Sequence, residues 1–181
     1  RQDQVDRIEI SPILIKKGDT YLALYGLGSM RDERLNRMWR AKKVAFLRPA
    51  SDKPWFNLFA LHQNRDLGRG AKNCVHESMI PDWMDLVCWG HEHECCIEPH
   101  ESVVGTFRIT QPGSSVATSL TAGEAARKQI GLLDIRHQSF RLAPIPLTQV
   151  RTFVLGEVAL SQHRRLDAED PKVEQKMTKI L

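Results

Sequence analysis

The chain has 181 residues and a net charge of +4, from 26 Lys and Arg against 22 Asp and Glu. A chain of this length buries roughly 70% of the surface it exposes when unfolded, which is enough for one domain with a hydrophobic core. The mild positive charge permits a nucleic-acid partner without requiring one. No segment approaches the roughly 20 apolar residues of a membrane-spanning helix, so we expect no membrane partner. Four cysteines without Cys-x-x-Cys spacing favour a reducing compartment over a disulfide framework.

The N-terminal part of the chain predicts a hairpin of two strands. Residues 8–15 are rich in isoleucine and leucine, and residues 21–25 form a second apolar run. Gly18 lies in the polar segment between them, as is typical of a hairpin loop.

Residues 31–40 predict a helix with one apolar face and one basic face. Leu35, Met38 and Trp39 follow the i, i+3, i+4 spacing of side chains that pack against a core. Arg34 and Arg37 fall on the other side, where they could contact the phosphates of a nucleic acid. The alternative is an ordinary solvated helix face beside a core stripe.

Two further apolar runs end in histidines. Residues 55–61 predict a central strand that is followed by His62, and residues 86–89 predict a second one that is followed by His91 and His93. Neighbouring strands of one sheet would bring these histidines to the same edge, where a rigid scaffold meets functional loops. Neutral imidazoles in that position can bind a metal ion. We therefore predict metal ligation by these three histidines, with ordinary structural or surface histidines as the alternative.

The rest of the chain predicts more extended structure and a final helix. The expected order is a loop at 95–100, a strand at 106–110, a tight turn at 111–115, hairpin strands at 129–135 and 139–143, an extended segment at 150–160 and a helix at 172–181. In the turn, the N–H groups and hydroxyls of Ser114 and Ser115 could face an anionic ligand. Asp170 is the predicted N-cap of the helix, with Pro171 at its first position.

Five motifs of the chain together resemble one family. They are YGLGS at 25–29, DERL at 32–35, LHQNR at 61–65, WGHEHE at 89–94 and QPGSSVATSL at 111–120. Over essentially the whole chain, they resemble the eukaryotic nuclease subunits of the double-strand-break repair complex. These subunits are relatives of bacterial SbcD within the calcineurin-like metallophosphoesterases.

The resemblance implies an α/β (α+β) fold, namely half of a four-layer metallophosphoesterase β-sandwich flanked by helices. Residues 1–150 would form the C-terminal half of the nuclease domain, and residues 151–181 the beginning of a small capping domain that contacts DNA. The Asp-x-His and Gly-Asn-His-Asp motifs of the family are absent from this sequence. The resemblance therefore implies that the catalytic histidine and further metal ligands belong to an N-terminal half that this chain lacks, so we expect the chain alone to be inactive.

The activity implied by the resemblance is that of a Mn²⁺-dependent DNA nuclease, a 3′–5′ exonuclease and single-strand endonuclease that acts in double-strand-break repair. Two Mn²⁺ ions would assist phosphodiester hydrolysis, one bound by His62 and His91 and the other by His93. Mixed imidazole and carboxylate ligation suits Mn²⁺ better than Mg²⁺. The implied partners are DNA, a coiled-coil ABC ATPase, a nibrin-type regulatory subunit and a second copy bound through the missing half, in the nucleus.

Two alternatives to a nuclease remain open from the sequence. The chain could be a catalytically incomplete scaffold that binds DNA or a protein partner. His91, His93, Cys95 and Cys96 could instead form a structural zinc site, although adjacent cysteines rarely close one tetrahedron.

Overall fold

A mixed β-sheet of six strands forms the centre of the molecule. The structure is a computed structural model, and it describes residues 7–66, 68, 70–157, 159, 166 and 170–179. The elements in chain order are β1 (Ile8–Ile10), β2 (Ile13–Lys17), β3 (Thr20–Leu27), α1 (Asp32–Arg40), β4 (Val44–Phe46), β5 (Trp55–His62), β6 (Leu86–Gly90), β7 (Cys96–Glu101), β8 (Arg108–Gln111), β9 (Gln129–Arg136), β10 (Ser139–Pro146) and α2 (Val173–Thr178). Two short 3-10 helices lie at Glu77–Met79 and Ala122–Ala125.

The strand order of the central sheet is β2-β3-β5-β6-β8-β7. The four inner strands run parallel to one another, while β2 and β7 pair antiparallel at the two edges. β1 pairs parallel with β4, and β9 with β10 forms a separate antiparallel hairpin. The α/β class and the hairpin at 129–143 are thereby confirmed. The N-terminal hairpin forms from β2 and β3 alone, whereas residues 8–10 of the predicted first strand form β1 and pair with β4.

The inner strands are covered on both faces, as parallel strands usually are. Phe56 and Phe59 of β5 are both fully buried on opposite sides of the sheet. Phe59 meets the ring of Phe46 edge-on, with centroids 5.1 Å apart, whereas Phe56 meets Phe140 of the β9–β10 hairpin at 5.8 Å. The two layers of packing hold β5 and β6 rigidly, which fixes the positions of the residues at their ends.

The C-terminal half differs from the expectations in three places. Residues 95–100 were expected to be a loop, but most of them form β7, because pairing with β8 satisfies their backbone and Ile97 is buried in the core. Pro99 is tolerated there because an edge strand leaves one row of N–H groups unpaired. The extended segment expected at 150–160 contains no strand within its described part, where Val154 is almost fully exposed and lacks a sheet to cover it.

The third difference concerns the last helix, which begins at Val173 rather than at residue 172. The Asp170 carboxylate accepts a hydrogen bond from the Lys172 N–H at 2.8 Å, so it caps the turn that precedes the helix. Helix α2 ends at Thr178, and the expected continuation to 181 falls partly on residues outside the described ones. In the described parts of the chain, we find no helix with the length and apolar character needed to cross a membrane.

Candidate metal centre

Two of the predicted histidines lie side by side at the ends of β5 and β6. The strands are parallel neighbours, and His62 is paired in register with Gly90. The ring centroids of His62 and His91 are 5.1 Å apart, and the ring planes meet at 73°. Both side chains are exposed to solvent. Two imidazoles at this separation can reach one metal ion from two sides.

Backbone geometry at this edge is specialised. His91 has φ 76°, in the left-handed region that non-glycine residues rarely adopt and that is enriched at functional sites. A Cβ atom on Gly90 would lie 3.1 Å from His62 Nδ1 and 3.1 Å from the Leu61 carbonyl oxygen. Glycine at position 90 therefore lets the His62 ring approach the end of β6 without displacement.

His93 lies in a different environment from the other two histidines. Its Nδ1 atom contacts the Thr118 hydroxyl and lies 3.4 Å from Oε1 of Glu124. A histidine held by a carboxylate through one ring nitrogen presents the other to a ligand, as metal-binding histidines do. The three histidines thus form a pair and a separate third: in the part of the chain that the structure describes, they do not each bring a ligand atom within 4.8 Å of the other two. Their role as metal ligands stays a prediction.

A buried ion pair supports the loop that carries His93. The side chains of Glu124 and Lys128 are 4% and 3% exposed, and Lys128 Nζ lies 3.5 Å from Glu124 Oε2. Lys128 Nζ also donates to the His93 carbonyl oxygen at 2.9 Å and to Ser114 Oγ at 3.0 Å. One buried cation therefore joins the backbone of the His-x-His segment to the turn at 111–115.

The Glu124 carboxylate accepts an unusual number of hydrogen bonds. The backbone N–H groups of Thr118 and Ser119 donate to it at 2.7 and 3.1 Å, and the two hydroxyls of these residues donate at 2.8 and 2.7 Å. Chiefly through the Thr118 N–H, these bonds hold the pKa of Glu124 well below its usual range. Sequence reasoning missed both members of the ion pair, because Glu and Lys four residues apart normally indicate an exposed helix face.

The turn at 111–115 packs against the His-x-His segment and does not present the donors of Ser114 to an anion, which corrects the sequence-based expectation. Ser114 N–H donates to the His93 carbonyl oxygen at 3.2 Å, and its hydroxyl donates to Val116 at 2.7 Å. Gly113 has φ 74°, and a Cβ there would lie 2.7 Å from the carbonyl oxygens of His93 and Glu94. The Pro-Gly turn is thus a support for the loop.

The LHQNR segment is held in place by hydrogen bonds from Gln63, Asn64 and Arg65, the three residues after His62. Gln63 Nε2 donates to the Gly28 carbonyl oxygen at 3.0 Å. The backbone and side-chain amides of Asn64 donate to the Asp32 carboxylate at 3.1 and 2.9 Å. Gly28 of the YGLGS motif and Asp32 of the DERL motif therefore both hold the segment that carries His62.

Arg65 joins this segment to residues beyond β6 and at the end of β8. Its N–H donates to Glu92 at 2.9 Å, and its guanidinium donates to Gln111 at 3.2 Å and to Glu77 at 3.0 Å. The guanidinium also lies over the buried Trp89 ring, with Cζ 5.5 Å from the centroid. Arg65 therefore links the loops after β5 and β6 to the last residue of β8.

The carboxylate that pairs with Arg65 remains ionised. Burial raises the pKa of Glu77, but hydrogen bonds from Ser102, Arg65 and the Val103 N–H outweigh it and hold that pKa below its usual value. The Arg65–Glu77 ion pair, with both side chains 16% exposed, is accordingly intact at neutral pH.

The basic face of α1 has the predicted division of residues. Leu35 and Met38 are buried, Arg37 is exposed and Arg34 is half-buried. Arg40 donates to the Ala71 carbonyl oxygen at 3.2 Å, so one arginine of this face has a structural role. Arg34 and Arg37 stay predicted phosphate contacts.

The alternative zinc site does not form. Cys96 lies in β7, while His91 and His93 precede the strand. In the part of the chain that the structure describes, His91, His93, Cys95 and Cys96 do not bring their ligand atoms within 4.8 Å of one another.

Comparisons with known proteins identify the family. The family model described as "Mre11 DNA-binding presumed domain" matches residues 140–181. The double-strand break repair protein MRE11 of Homo sapiens is 49% identical over 177 residues, which is 97% of this chain and 25% of that protein. The double-strand break repair protein mus-23 of Neurospora crassa is 48% identical over 171 residues (94% of this chain, 23% of that protein), and MRE11 of Oryza sativa subsp. indica is 46% identical over 172 residues (92% and 24%). The chain thus spans about a quarter of the length of these relatives, and it belongs to the MRE11 family of double-strand break repair proteins.

Proposed function

We propose that this chain is part of a Mn²⁺-dependent DNA nuclease that acts on broken DNA ends by two-metal phosphodiester hydrolysis. The observation that carries the proposal is the pair formed by His62 and His91, whose rings are 5.1 Å apart at the ends of two rigid parallel strands. Family membership supports a role in the repair of broken DNA, since the relatives are named double-strand break repair proteins.

The residues at this edge fit a divalent ion. Two exposed imidazoles lie together, and Gly90 provides the space that the His62 ring needs. His93 is oriented through Nδ1 by Thr118 and Glu124, which suits a ligand of a second ion. When bound, divalent ions would stabilise the developing charge on the phosphodiester and activate the attacking water.

The described chain supplies imidazole ligands rather than bridging carboxylates. Glu92 already accepts the Arg65 N–H, and Glu124 is paired with Lys128. Two dications a few ångströms apart need an anionic bridge to offset their repulsion. Because the relatives are about four times longer than this chain, we propose that another segment of the native protein provides this bridge and the catalytic histidine.

The finer features implied by family membership belong to the same proposal. Residues 1–150 would be the C-terminal half of the nuclease domain and residues 151–181 the beginning of the capping domain. Exonuclease action in the 3′–5′ direction, single-strand endonuclease action and a nuclear location are expected of the complete protein. Its expected partners are DNA, a coiled-coil ABC ATPase, a nibrin-type subunit and a second copy.

The proposal is tested by an assay of the full-length protein and of residues 1–181 alone on an end-labelled duplex. We expect Mn²⁺-dependent cleavage by the full-length protein, its loss on chelation and its recovery when Mn²⁺ is restored. Residues 1–181 alone should bind Mn²⁺ weakly and cleave nothing. DNA binding by the full-length protein without cleavage would favour the scaffold alternative, and robust cleavage by the fragment would refute a site completed elsewhere.

The DNA-binding face of α1 gives a second prediction. If Arg34 and Arg37 contact phosphates, replacing both with glutamate should weaken duplex binding uniformly across sequences and lower the salt dependence of log K by about 2, roughly one unit for each lost contact. The measurement is a fluorescence anisotropy titration of the full-length protein at several salt concentrations. Arg136→Glu on β9, which reverses an exposed charge outside residues 140–181, is the control. Equal affinity of the double variant and the control would assign the α1 face to solvent.

A further inference from the structure

A second group of metal-ligand side chains lies in the loop that follows β5. One ligand atom from each of Asp66, Cys74 and His76 lies within 4.8 Å of the other two. Asp66 Oδ2 is 3.0 Å from His76 Nδ1, and Cys74 Sγ is 3.9 Å from His76 Nε2. The group is separate from the histidine pair, and no short motif indicates it, because Asp66 is eight residues from Cys74 in the sequence.

The backbone holds these ligands in place. Residues 65 and 75 form a parallel bridge, and the Val75 N–H donates to the Asn64 carbonyl oxygen at 3.0 Å. Val75 is buried in the core, so its neighbours Cys74 and His76 lie on the opposite side of an extended segment. Asn36 Nδ2 of α1 donates to the Cys74 carbonyl oxygen at 2.8 Å. The two ligands are therefore anchored before any ion binds.

The hydrogen bonds of His76 leave a place for a positive charge. His76 Nδ1 faces the Asp66 carboxylate, and Nε2 lies 2.8 Å from the Ala71 carbonyl oxygen. Both neighbours are acceptors, whereas a neutral imidazole carries only one N–H. The Ala71 carbonyl oxygen also accepts from Asn36 and Arg40, at 3.2 Å each. A neutral His76 ring that donates its one N–H therefore keeps a lone pair on its other nitrogen for a cation.

The charges around Cys74 favour a cation as well. The carboxylates of Asp66 and Asp32 place negative charge near the Cys74 sulfur, and the Arg40 guanidinium places positive charge there. The same carboxylates attract a dication, and a bound metal ion converts a thiol into a thiolate ligand. A thiolate, an imidazole and a carboxylate together select Zn²⁺ over Mn²⁺ or Mg²⁺, which prefer oxygen ligands.

We propose that Asp66, Cys74 and His76 form a zinc site, distinct from the histidine pair, which fastens residues 66–76 to the end of the LHQNR segment. Three protein ligands leave the fourth tetrahedral position to water or a backbone carbonyl. Because Asp66 directly follows Arg65, an ion bound here restrains the backbone from which Arg65 reaches Glu77, Glu92 and Gln111.

The test is a Co²⁺ titration of the full-length protein in excess Mn²⁺, followed by displacement with Zn²⁺. We expect a sulfur-to-cobalt charge-transfer band that Zn²⁺ abolishes at one equivalent. Cys74→Ser should remove the band, and Cys96→Ser, which alters an exposed cysteine, should leave it unchanged. Absence of the band in the parent protein, or its loss only in Cys96→Ser, would overturn the proposal.

Two further variants keep the test decisive if Cys74→Ser fails to fold. Asp66 is exposed, so Asp66→Asn should fold normally, as circular dichroism would verify, and should weaken Zn²⁺ binding by on the order of 10–100-fold in competition with a fluorescent chelator. His62→Ala should retain its zinc by elemental analysis, because it belongs to the other site. Unchanged zinc affinity in Asp66→Asn, or loss of zinc in His62→Ala, would refute a separate site.

Discussion

Replacing His62 with alanine in the full-length protein should lower Mn²⁺-dependent DNA cleavage by on the order of 100-fold or more. Loss of an outer partner of a metal ligand already costs 10–100-fold, so loss of a ligand should cost at least as much. His62 is exposed, and exposed positions usually tolerate substitution within about 0.5 kcal/mol, so the fold should persist. The measurement is the cleavage rate of an end-labelled duplex at saturating Mn²⁺, with thermal unfolding as a check on stability.

The contact between His62 and His91 makes a sharper version of this experiment possible. If both imidazoles bind one ion, His91→Ala should cause a similar loss, and the double variant should be little worse than either single variant, because residues that act as a unit are not additive. His137→Asn is a suitable control, since it alters an exposed histidine with φ 53° and asparagine tolerates that conformation. Normal cleavage by the single variants would show that this pair is not the metal centre.

Replacing Lys128 with methionine should destabilise the protein, because it removes one partner of an ion pair whose two side chains are almost inaccessible to solvent. The substitution keeps the volume of the side chain but leaves the His93 carbonyl oxygen and the Glu124 carboxylate without their buried donor. Arg127→Met, at the exposed neighbouring position, should change stability by less than about 0.5 kcal/mol. Urea unfolding at neutral pH measures both, and equal stabilities would mean that the pair does not support the loop.

The pH dependence of unfolding provides an independent measure of the same network. The pKa of Glu124 is lower in the folded protein than in the unfolded chain, so its contribution to stability is complete above the unfolded value of about 4.3. That contribution is lost as the pH falls below 4.3 through the lower folded pKa. Glu124→Gln should therefore unfold with a weaker dependence on pH between 4.3 and strong acid than the parent protein. Parallel pH profiles of the two proteins would contradict the assigned role of Glu124.

Local periodicity was sufficient to predict the parts of the fold that bury apolar side chains continuously. The runs at 55–61 and 86–89 are apolar on both faces because parallel inner strands are covered twice, and they do form β5 and β6. The spacing of Leu35 and Met38 likewise predicted α1 and its buried side. Two such strands ending in histidines were enough to expect that His62 and His91 would lie together.

Contacts between residues distant in the sequence decided the parts of the fold that local periodicity did not predict. Cys96–Glu101 becomes a strand only because β8 lies beside it, and residues 151–157 remain irregular because no strand pairs with them. Burial of Glu124 and Lys128 depends on Thr118 and Ser119 supplying donors and on His93 supplying an acceptor. The sequence by itself therefore determined the inner strands, the family and the histidines at one sheet edge, since these depend on local apolar patterns and short motifs. The tertiary structure alone decided how those histidines are divided and supported, because hydrogen bonds between separate loops leave no periodic signal in the chain.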